Sequence, residues 1–366
     1  MSEQNVRQFT VDAEDDGIRL DRWFKRHLPD ANFNTVSRWA RTGQLRINGK
    51  RATPGDRIEQ GQVIRVPPAD PVSEAAASAK PKVEHKQLSE DEIAFVNEIV
   101  IHRDAQAIVV NKPPGLATQG GTKTKTHLDG LLDGLANEAG QRPKLVHRLD
   151  KDTSGVLLLA RTPRSAAYFS KSFSGRTARK VYWAVVMGVP SIDDGYIDLP
   201  LAKQPGTGGE KMHVEEGEGG LPSRTRYRVI ERAGNRAAWV ELQPLTGRTH
   251  QLRVHMEAIG HPIVGDGKYG GAEAFLTGAI SRKLHLHARR LRIDHPDGGQ
   301  IDVTAELPNH FAETMANLGF DLALGDLPLD EIKFSETAEG KRKAVSAAAK
   351  ARRKERKGER RGRGRG

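Results

Sequence analysis

The apolar residues of the C-terminal two thirds of this chain come in short runs, and that spacing limits the fold more than any other feature. Ala107 to Asn111, Val156 to Ala160, Val181 to Met187 and Ala237 to Leu242 are each of strand length and are separated by turn residues. Leu145-Val146 leads into a polar loop, and Leu284 to Leu291 alternates His or basic residues with apolar ones. Many short strands with helical stretches between them predict an α+β body built on a largely antiparallel mixed sheet. The longest apolar runs fall far short of the ~20 residues that a bilayer-spanning helix needs, so no membrane partner is expected. The first 16 residues are polar and acidic, which argues against a secretory signal. The chain has no cysteine. That rules out disulfides, thiol nucleophiles and thiolate metal sites, and it fits a cytoplasmic location.

The formal net charge of +11 is unevenly distributed. Residues 341–366 hold 13 Lys/Arg and 2 Glu, so the other 340 residues are balanced. A high pI from a tail says little about what a folded body binds. Local clustering says more, and it occurs at residues 17–51, with nine Lys/Arg against two Asp. The chain divides accordingly into a small basic domain over 10–69, a linker over 70–90, a large domain over 91–325 and a basic tail over 326–366. The linker is rich in Ala, Ser, Pro and Lys, and the tail ends RRGRGRG. Neither composition can build a core, and the tail is expected to be disordered.

In the small domain Leu20, Trp23, Phe24 and Leu28 mark one helical stripe, while Arg19, Arg22 and Arg26 fall on another face. A second helix is expected after a cap at Asn34 or Thr35, with Gly43 closing it and Arg38 and Arg41 sharing a face. Leu45-Arg46-Ile47 reads as a strand turning at Asn48-Gly49 into Lys50 and Arg51, and Ile58, Val63, Ile64 and Val66 supply more strand. The cations of this small α/β unit suit a phosphate backbone, with binding that weakens steeply as salt rises. The alternative is a solvated charged surface. RLDRWF, SRWARTGQLRINGKR and VIRVPP, in that order over about 17–68, resemble the S4 RNA-binding domain.

The chemistry concentrates in LVHRLDKDTSGVLLLAR, residues 145–161. A strand enters a loop carrying His147, Arg148, Asp150, Lys151 and Asp152, and a second strand leaves it. Loops between rigid strands are where catalytic groups tend to sit. The cations flanking Asp150 favour its ionised form, which suits a nucleophile or a base. Asp, Thr, Ser and Gly are also ordinary turn formers, so a purely structural bend stays open at this point. An aspartic-protease motif would lack the inserted Ser154 and would need a second copy. Ser154 is not in G-x-S-x-G. Neither GGTK at 120–123 nor GDGK at 265–268 completes a phosphate loop.

A second cluster, PLTGRTHQLRVHMEAIGHPIVGDGKYG over 244–270, gathers Arg248, His250, Arg253, His255 and His261. The histidine spacings match no zinc signature, so no metal is expected. If Thr249 to His255 is helical, Thr249, Arg253 and Met256 share a side with Leu252 nearby, which would set a guanidinium beside an apolar wall. The alternative is a surface helix whose basic residues are solvated.

Together these stretches resemble one family. HRLDKDTSG looks like the catalytic motif of the RluA-type pseudouridine synthases, NKPPG at 111–115 like their first motif, and GRTHQLRVH at 247–255 like their third. Tyr182 in RKVYWAVV matches the tyrosine that follows the catalytic motif. The four motifs appear in order over roughly 100–270, and family-like sequence runs from about 92 to 315. LATQGG and PSRTRYRVIERA look most like the members that act on large-subunit ribosomal RNA. The Lys-Pro-Pro-Gly form and the Arg-rich tail depart from the pattern.

The resemblance implies a pseudouridine synthase fold and an isomerase that breaks the uridine N1–C1′ bond, turns the base and rejoins it through C5, with no cofactor. It implies Asp150 as the essential carboxylate, Arg253 paired with it and Tyr182 against the uracil. Arg148 would contact RNA or fill the space left by the extracted base, and Arg248 is expected to contact RNA. Arg19, Arg22, Arg26, Arg38, Arg41, Lys50 and Arg51 are the expected RNA contacts of the small domain. The expected partner is large-subunit ribosomal RNA, free or in an assembly intermediate, met by a monomer. A non-catalytic RNA-binding or assembly factor on the same scaffold is the alternative, as is a related synthase acting on other ribosomal sites or on tRNA. Intact Asp150, Tyr182 and Arg253 weigh against the non-catalytic reading.

Overall fold

The computed structural model describes residues 6–29, 31, 33–68, 87–120, 126–204 and 211–326. Residues 70–86 of the expected linker, residue 69 before it and the tail beyond Asp326 lie outside these. The chain divides into two bodies, one before and one after the Lys86–Gln87 junction.

The small body holds β1 (Arg7–Thr10), α1 (Leu20–His27), α2 (Phe33–Arg41), β2 (Arg46–Ile47), β3 (Lys50–Arg51) and β4 (Val63–Val66), with sheet order β1-β4-β2-β3. It therefore starts earlier than residue 10. The β2–β3 turn is the expected one, since Asn48 and Gly49 both take positive φ, at 48° and 79°. That is the geometry a tight hairpin needs to follow the strand twist. Gly43 ends the second helix with φ 73°. The start of α2 differs from the expectation: the helix begins at Phe33, so Asn34 and Thr35 lie inside its first turn. Leu20, Trp23, Phe24, Val36, Trp39, Leu45, Ile58, Ile64 and Val66 bury together as one core. Arg19, Arg22, Arg26, Arg38, Arg41, Lys50 and Arg51 all remain exposed.

The large body begins before residue 91, because Ser89 and Glu92 form a reciprocal capping box on α3 (Glu90–Glu98). Then follow β5 (Val100–Arg103), β6 (Ala107–Lys112), α4 (Leu128–Leu131), β7 (Lys144–Leu145), β8 (Ser154–Ala160), α5 (Pro163–Ser174) and β9 (Arg179–Met187). Next come β10 (Asp194–Asp198), β11 (Leu201–Lys203), β12 (Met212–Val214), β13 (Arg224–Ala233), β14 (Ala237–Pro244) and α6 (Gln251–Ala258). The chain closes with β15 (Leu286–Asp294), β16 (Gln300–Thr304) and α7 (Asn309–Leu318). Ten strands form one sheet in the order β10-β13-β14-β9-β15-β8-β6-β5, with β16 added to β15 and β7 to β8. Among the described strands only β15 and β8 pair in parallel, so the sheet is mixed and largely antiparallel, as the short apolar runs predict.

The sequence reading passed over β13, the longest strand. Alternate positions there are arginines, which pattern reasoning reads as solvent-facing. In the sheet they meet carboxylates of the neighbouring strands. Arg226 donates two hydrogen bonds to Asp194, at 3.0 and 2.7 Å, and Arg228 donates one to Glu241 at 3.3 Å. Helix α6 is also not a surface helix. Gln251, Leu252, Arg253, Val254, His255 and Met256 are all buried. It starts at Gln251, so Thr249 lies outside it.

Candidate active site

Asp150 sits in the loop between β7 and β8, and neighbouring elements hold that loop at almost every residue around it. His147 stacks on Phe173 with ring centroids 4.1 Å apart, and its Nε2 accepts the Leu158 N–H at 2.8 Å. Burial and the Lys180 charge push the His147 pKa down to about 3, so the ring is neutral. The buried Thr118 hydroxyl donates to the Leu149 carbonyl at 2.7 Å and accepts the Leu149 N–H at 3.2 Å. The Lys151 carbonyl accepts from Lys112 Nζ at 3.1 Å and from the Gly115 N–H at 2.9 Å. Ser154 Oγ lies 2.9 Å from His287 Nδ1, with both residues buried.

The glycine that ends the motif follows from the same packing. Gly155 pairs with Ala288 across the parallel β15–β8 contact and has φ 109°. A Cβ there would stand 2.2 Å from the Ala288 carbonyl oxygen. Only glycine lets β15 approach this closely.

Lys112, from NKPPG, has no exposed surface. Its ammonium donates to the carbonyls of Pro113, Leu116 and Lys151 at 3.0, 2.7 and 3.1 Å. Burial lowers its pKa to about 7, against the opposing pull of Asp152 and Asp150. The first motif is thus a clip that fastens its own turn to the loop bearing Asp150.

Asp150 lies where two clefts meet. The first encloses about 400 Å³ and is lined by Asp150, Arg148, Lys180, Tyr182, Arg248 and His250, among others. That volume is within the range of sites that take small organic groups. Tyr182 comes from β9, and burial and the Asp150 charge push its phenol pKa up, so it stays protonated. Lys180, two residues earlier on that strand, has its pKa lowered by burial and by Arg176. The second cleft, of about 540 Å³, shares Asp150, His250 and Arg253 with the first and adds Lys151, Lys268 and Arg282.

Arg253 is beside Asp150 but makes its bidentate pair elsewhere. Its Nε and Nη2 donate to Asp266 at 2.8 and 2.7 Å, with Asp266 1% exposed. Burial alone would lower the Arg253 pKa, but Asp266, and then Asp150, raise it above the usual guanidinium value. The hydrogen-bonded partner of Arg253 is therefore Asp266, and Asp150 acts on it as a nearby charge. The physical reason is reach: an aspartate on the GDGKYG turn meets the guanidinium fork squarely, which satisfies a buried cation best.

The other histidines of the second cluster hydrogen-bond to protein groups. His255 meets Thr225 Oγ1 at 2.9 Å and the Leu199 carbonyl at 3.0 Å, and His261 meets the Met187 carbonyl at 2.9 Å. Among the described residues no group of three metal-binding side chains converges. The structure thus brings Asp150, Tyr182, Arg148, Arg248 and Arg253 to one place. It adds Lys112, Thr118, Lys180, His250, Asp266 and Tyr269, which the sequence reading did not place in the site. Their only signal was position within motif segments already singled out.

Comparison with known proteins agrees with this architecture. Residues 106–258 match the family model described as RNA pseudouridylate synthase. The chain is 32% identical over 328 residues to ribosomal large subunit pseudouridine synthase C of Vibrio vulnificus, covering 87% of this chain and 99% of that protein. It is also 32% identical over 306 residues to the enzyme of the same name from Escherichia coli K12, covering 81% and 91%. Among solved structures, human RNA pseudouridylate synthase domain containing 4 superposes with a TM-score of 0.53 at 28% identity, over 63% of this chain and 98% of that one. With one relative matched over nearly its whole length, and with the ordered motifs converging on one loop, the chain belongs to the RluA-type family of RNA pseudouridine synthases, which are isomerases.

Proposed function

We propose that this protein converts specific uridines of large-subunit ribosomal RNA to pseudouridine, with Asp150 as the essential carboxylate. The observation that carries this reading is the setting of Asp150: a carboxylate on a rigidly anchored loop, 21% exposed, at the junction of two clefts with Tyr182 in one wall. The names borne by the relatives supply the choice of ribosomal RNA.

The chemistry follows from the site. A glycosidic bond in a stacked nucleotide is out of reach, so the base must leave the stack at a cost of about a few kcal/mol. The first cleft receives it, and Tyr182 lies against the uracil. Arg148 and Arg248 meet the flanking phosphates, which offsets the unstacking. Asp150 works ionised, whether it attacks a carbon or removes a sugar proton, and the Arg253 charge supports that state. The N1–C1′ bond breaks, the base turns, C5 bonds to C1′ and gives up its proton, and N1 takes one up. No electron or group is exchanged with a third molecule, so no cofactor is needed.

The small body is an S4-like RNA-binding domain in this reading. Its exposed Arg22, Arg38, Arg41, Lys50 and Arg51 contact RNA phosphates. Arg19 and Arg26 do so less, because Asp21 and Asp15 already pair with them. The basic tail adds further RNA contact. The enzyme works in the cytoplasm as a monomer on free ribosomal RNA or an assembly intermediate.

The test is to incubate wild type and Asp150→Asn with unmodified large-subunit ribosomal RNA, without cofactor or metal, and to map pseudouridine by position. Modification by the wild type alone is expected. Modification by both would remove Asp150 from the chemistry. Modification by neither would favour the non-catalytic RNA-binding reading or another RNA.

A further inference from the structure

His250 immediately precedes α6 in a conformation that side chains avoid. Its φ is 52° and ψ 20°, the left-handed region, and only three non-glycine residues among those described have positive φ. Such backbone strain persists only where the surroundings impose it, and it gathers at functional sites. Here it turns the imidazole toward Asp150: His250 Nε2 lies 3.9 Å from Asp150 Oδ2, and the His250 side chain is 10% exposed. His250 also lines both clefts that meet at Asp150.

The other ring nitrogen fixes which tautomer is present. His250 Nδ1 is 2.6 Å from the Tyr269 hydroxyl. That hydroxyl already accepts the Met212 N–H at 3.1 Å. Burial pushes the Tyr269 pKa up to about 12, so the phenol keeps its proton. Among the described residues, His250 Nδ1 is the acceptor within reach of that proton. A neutral imidazole that accepts at Nδ1 carries its own proton on Nε2. Nε2 is the ring nitrogen that lies 3.9 Å from the Asp150 carboxylate. Tyr269 is held in turn: its N–H donates to Asp266 Oδ1 at 3.2 Å, and the Arg253 guanidinium stands over its ring, 5.1 Å from the centroid. Around His250 stand Asp150 from the β7–β8 loop and Tyr269 from the GDGKYG turn, with Arg253 of α6 lining the same clefts.

We propose that His250 is a positioning residue for Asp150. Its Nε2–H steadies the Asp150 carboxylate through Oδ2, and Tyr269 is the group that keeps the proton on Nε2. This inference rests on the reading of Asp150 as the essential carboxylate. The 3.9 Å separation suits it, since hydrogen bonds of this kind are often long before substrate binds and close when it does.

The test uses the full chain with His250→Gly, His250→Gln and Tyr269→Phe, beside wild type and Asp150→Asn. Single-turnover rate, RNA affinity and thermal midpoint are measured for each. Glycine is at ease in the left-handed region, so His250→Gly is expected to melt no lower than wild type. It is expected to bind RNA as wild type does and yet to turn over on the order of 100-fold more slowly, the effect of a misplaced reacting group. His250→Gln restores an N–H near the same place and is expected to recover most of that loss. Tyr269→Phe keeps the imidazole but frees its tautomer, and its rate is expected to fall between the two.

A His250→Gly enzyme with the wild-type rate would overturn the proposal, as would a Gln variant no better than the Gly one. If His250→Gly fails to fold, Tyr269→Phe decides: a wild-type rate there removes the tautomer argument. A wild type that makes no pseudouridine would overturn the underlying reading of the enzyme itself, which is a separate result.

Discussion

Arg38 and Arg41 in the small body and Arg253 in the large one are the same residue type in opposite surroundings. The first two stand exposed on α2, whose other side carries Val36 and Trp39 into the core. Arg253 is 7% exposed, on a helix buried nearly throughout, and is clamped to an aspartate that is 1% exposed. An exposed guanidinium keeps its charge available to an outside phosphate and adds little to folding. A buried one is part of the fold, because neither it nor its partner tolerates being left alone. The small body thus displays its cations, and the large body uses one of them to arrange the site.

The sharpest way to break this comparison is to remove Arg253. Arg253→Ala leaves the buried Asp266 carboxylate without its cation, though the Tyr269 N–H still donates to it, and the expected loss is about 3–5 kcal/mol of stability. Urea unfolding of the variant checks it, and adding Asp266→Asn should restore part of the loss. If Arg253→Ala unfolds at the wild-type midpoint, the pair is not a buried structural unit.

A second prediction concerns charge that the large body excludes. Burial lowers the pKa of His147 and His287 to about 3 and of His255 and His285 to about 4. Folded, these rings are neutral over a range where the unfolded chain takes up protons, from about 6.5 downward. The stability they confer is therefore complete above pH 6.5 and is lost as pH falls toward 4. Each ring contributes at most about 1.4 kcal/mol per pH unit. Unfolding midpoints should drop steadily from pH 7 to pH 5, and a flat profile would mean that solvent reaches the rings.

The smallest effect on folding is expected in the small body. Arg38→Ala with Arg41→Ala should change stability by less than about 0.5 kcal/mol. The same pair should weaken RNA binding and reduce its salt slope by about 2 if both side chains meet phosphates. An unchanged slope would take them out of the RNA footprint and leave the comparison resting on burial alone.

Much of the frame was legible in the chain because local rules govern it. The strands expected at 107–111, 156–160 and 181–187 and the Asn48-Gly49 turn all follow from periodicity and turn chemistry, and the structure extends the second and third by two residues at their starts. Strand β13 was hidden because its arginines look solvated until carboxylates arrive from strands distant in sequence. The candidate site divides in the same way. Asp150, Arg253 and Tyr182 could be picked out by motif, whereas Thr118, Lys180 and Asp266 carry no motif signal of their own.

By itself the sequence determined which segments become strands and helices, which residue types crowd each loop, and where the cations gather. Only the tertiary structure decided that Arg253 takes Asp266 as its bidentate partner, that Lys112 clips the loop bearing Asp150 from inside, and that the His250 ring stands beside Asp150. Those outcomes depend on which groups lose water together and meet at hydrogen-bonding distance. Arg253 and Asp266 are 13 positions apart and Lys112 and Lys151 are 39, and packing settles their meeting, which no local spacing encodes.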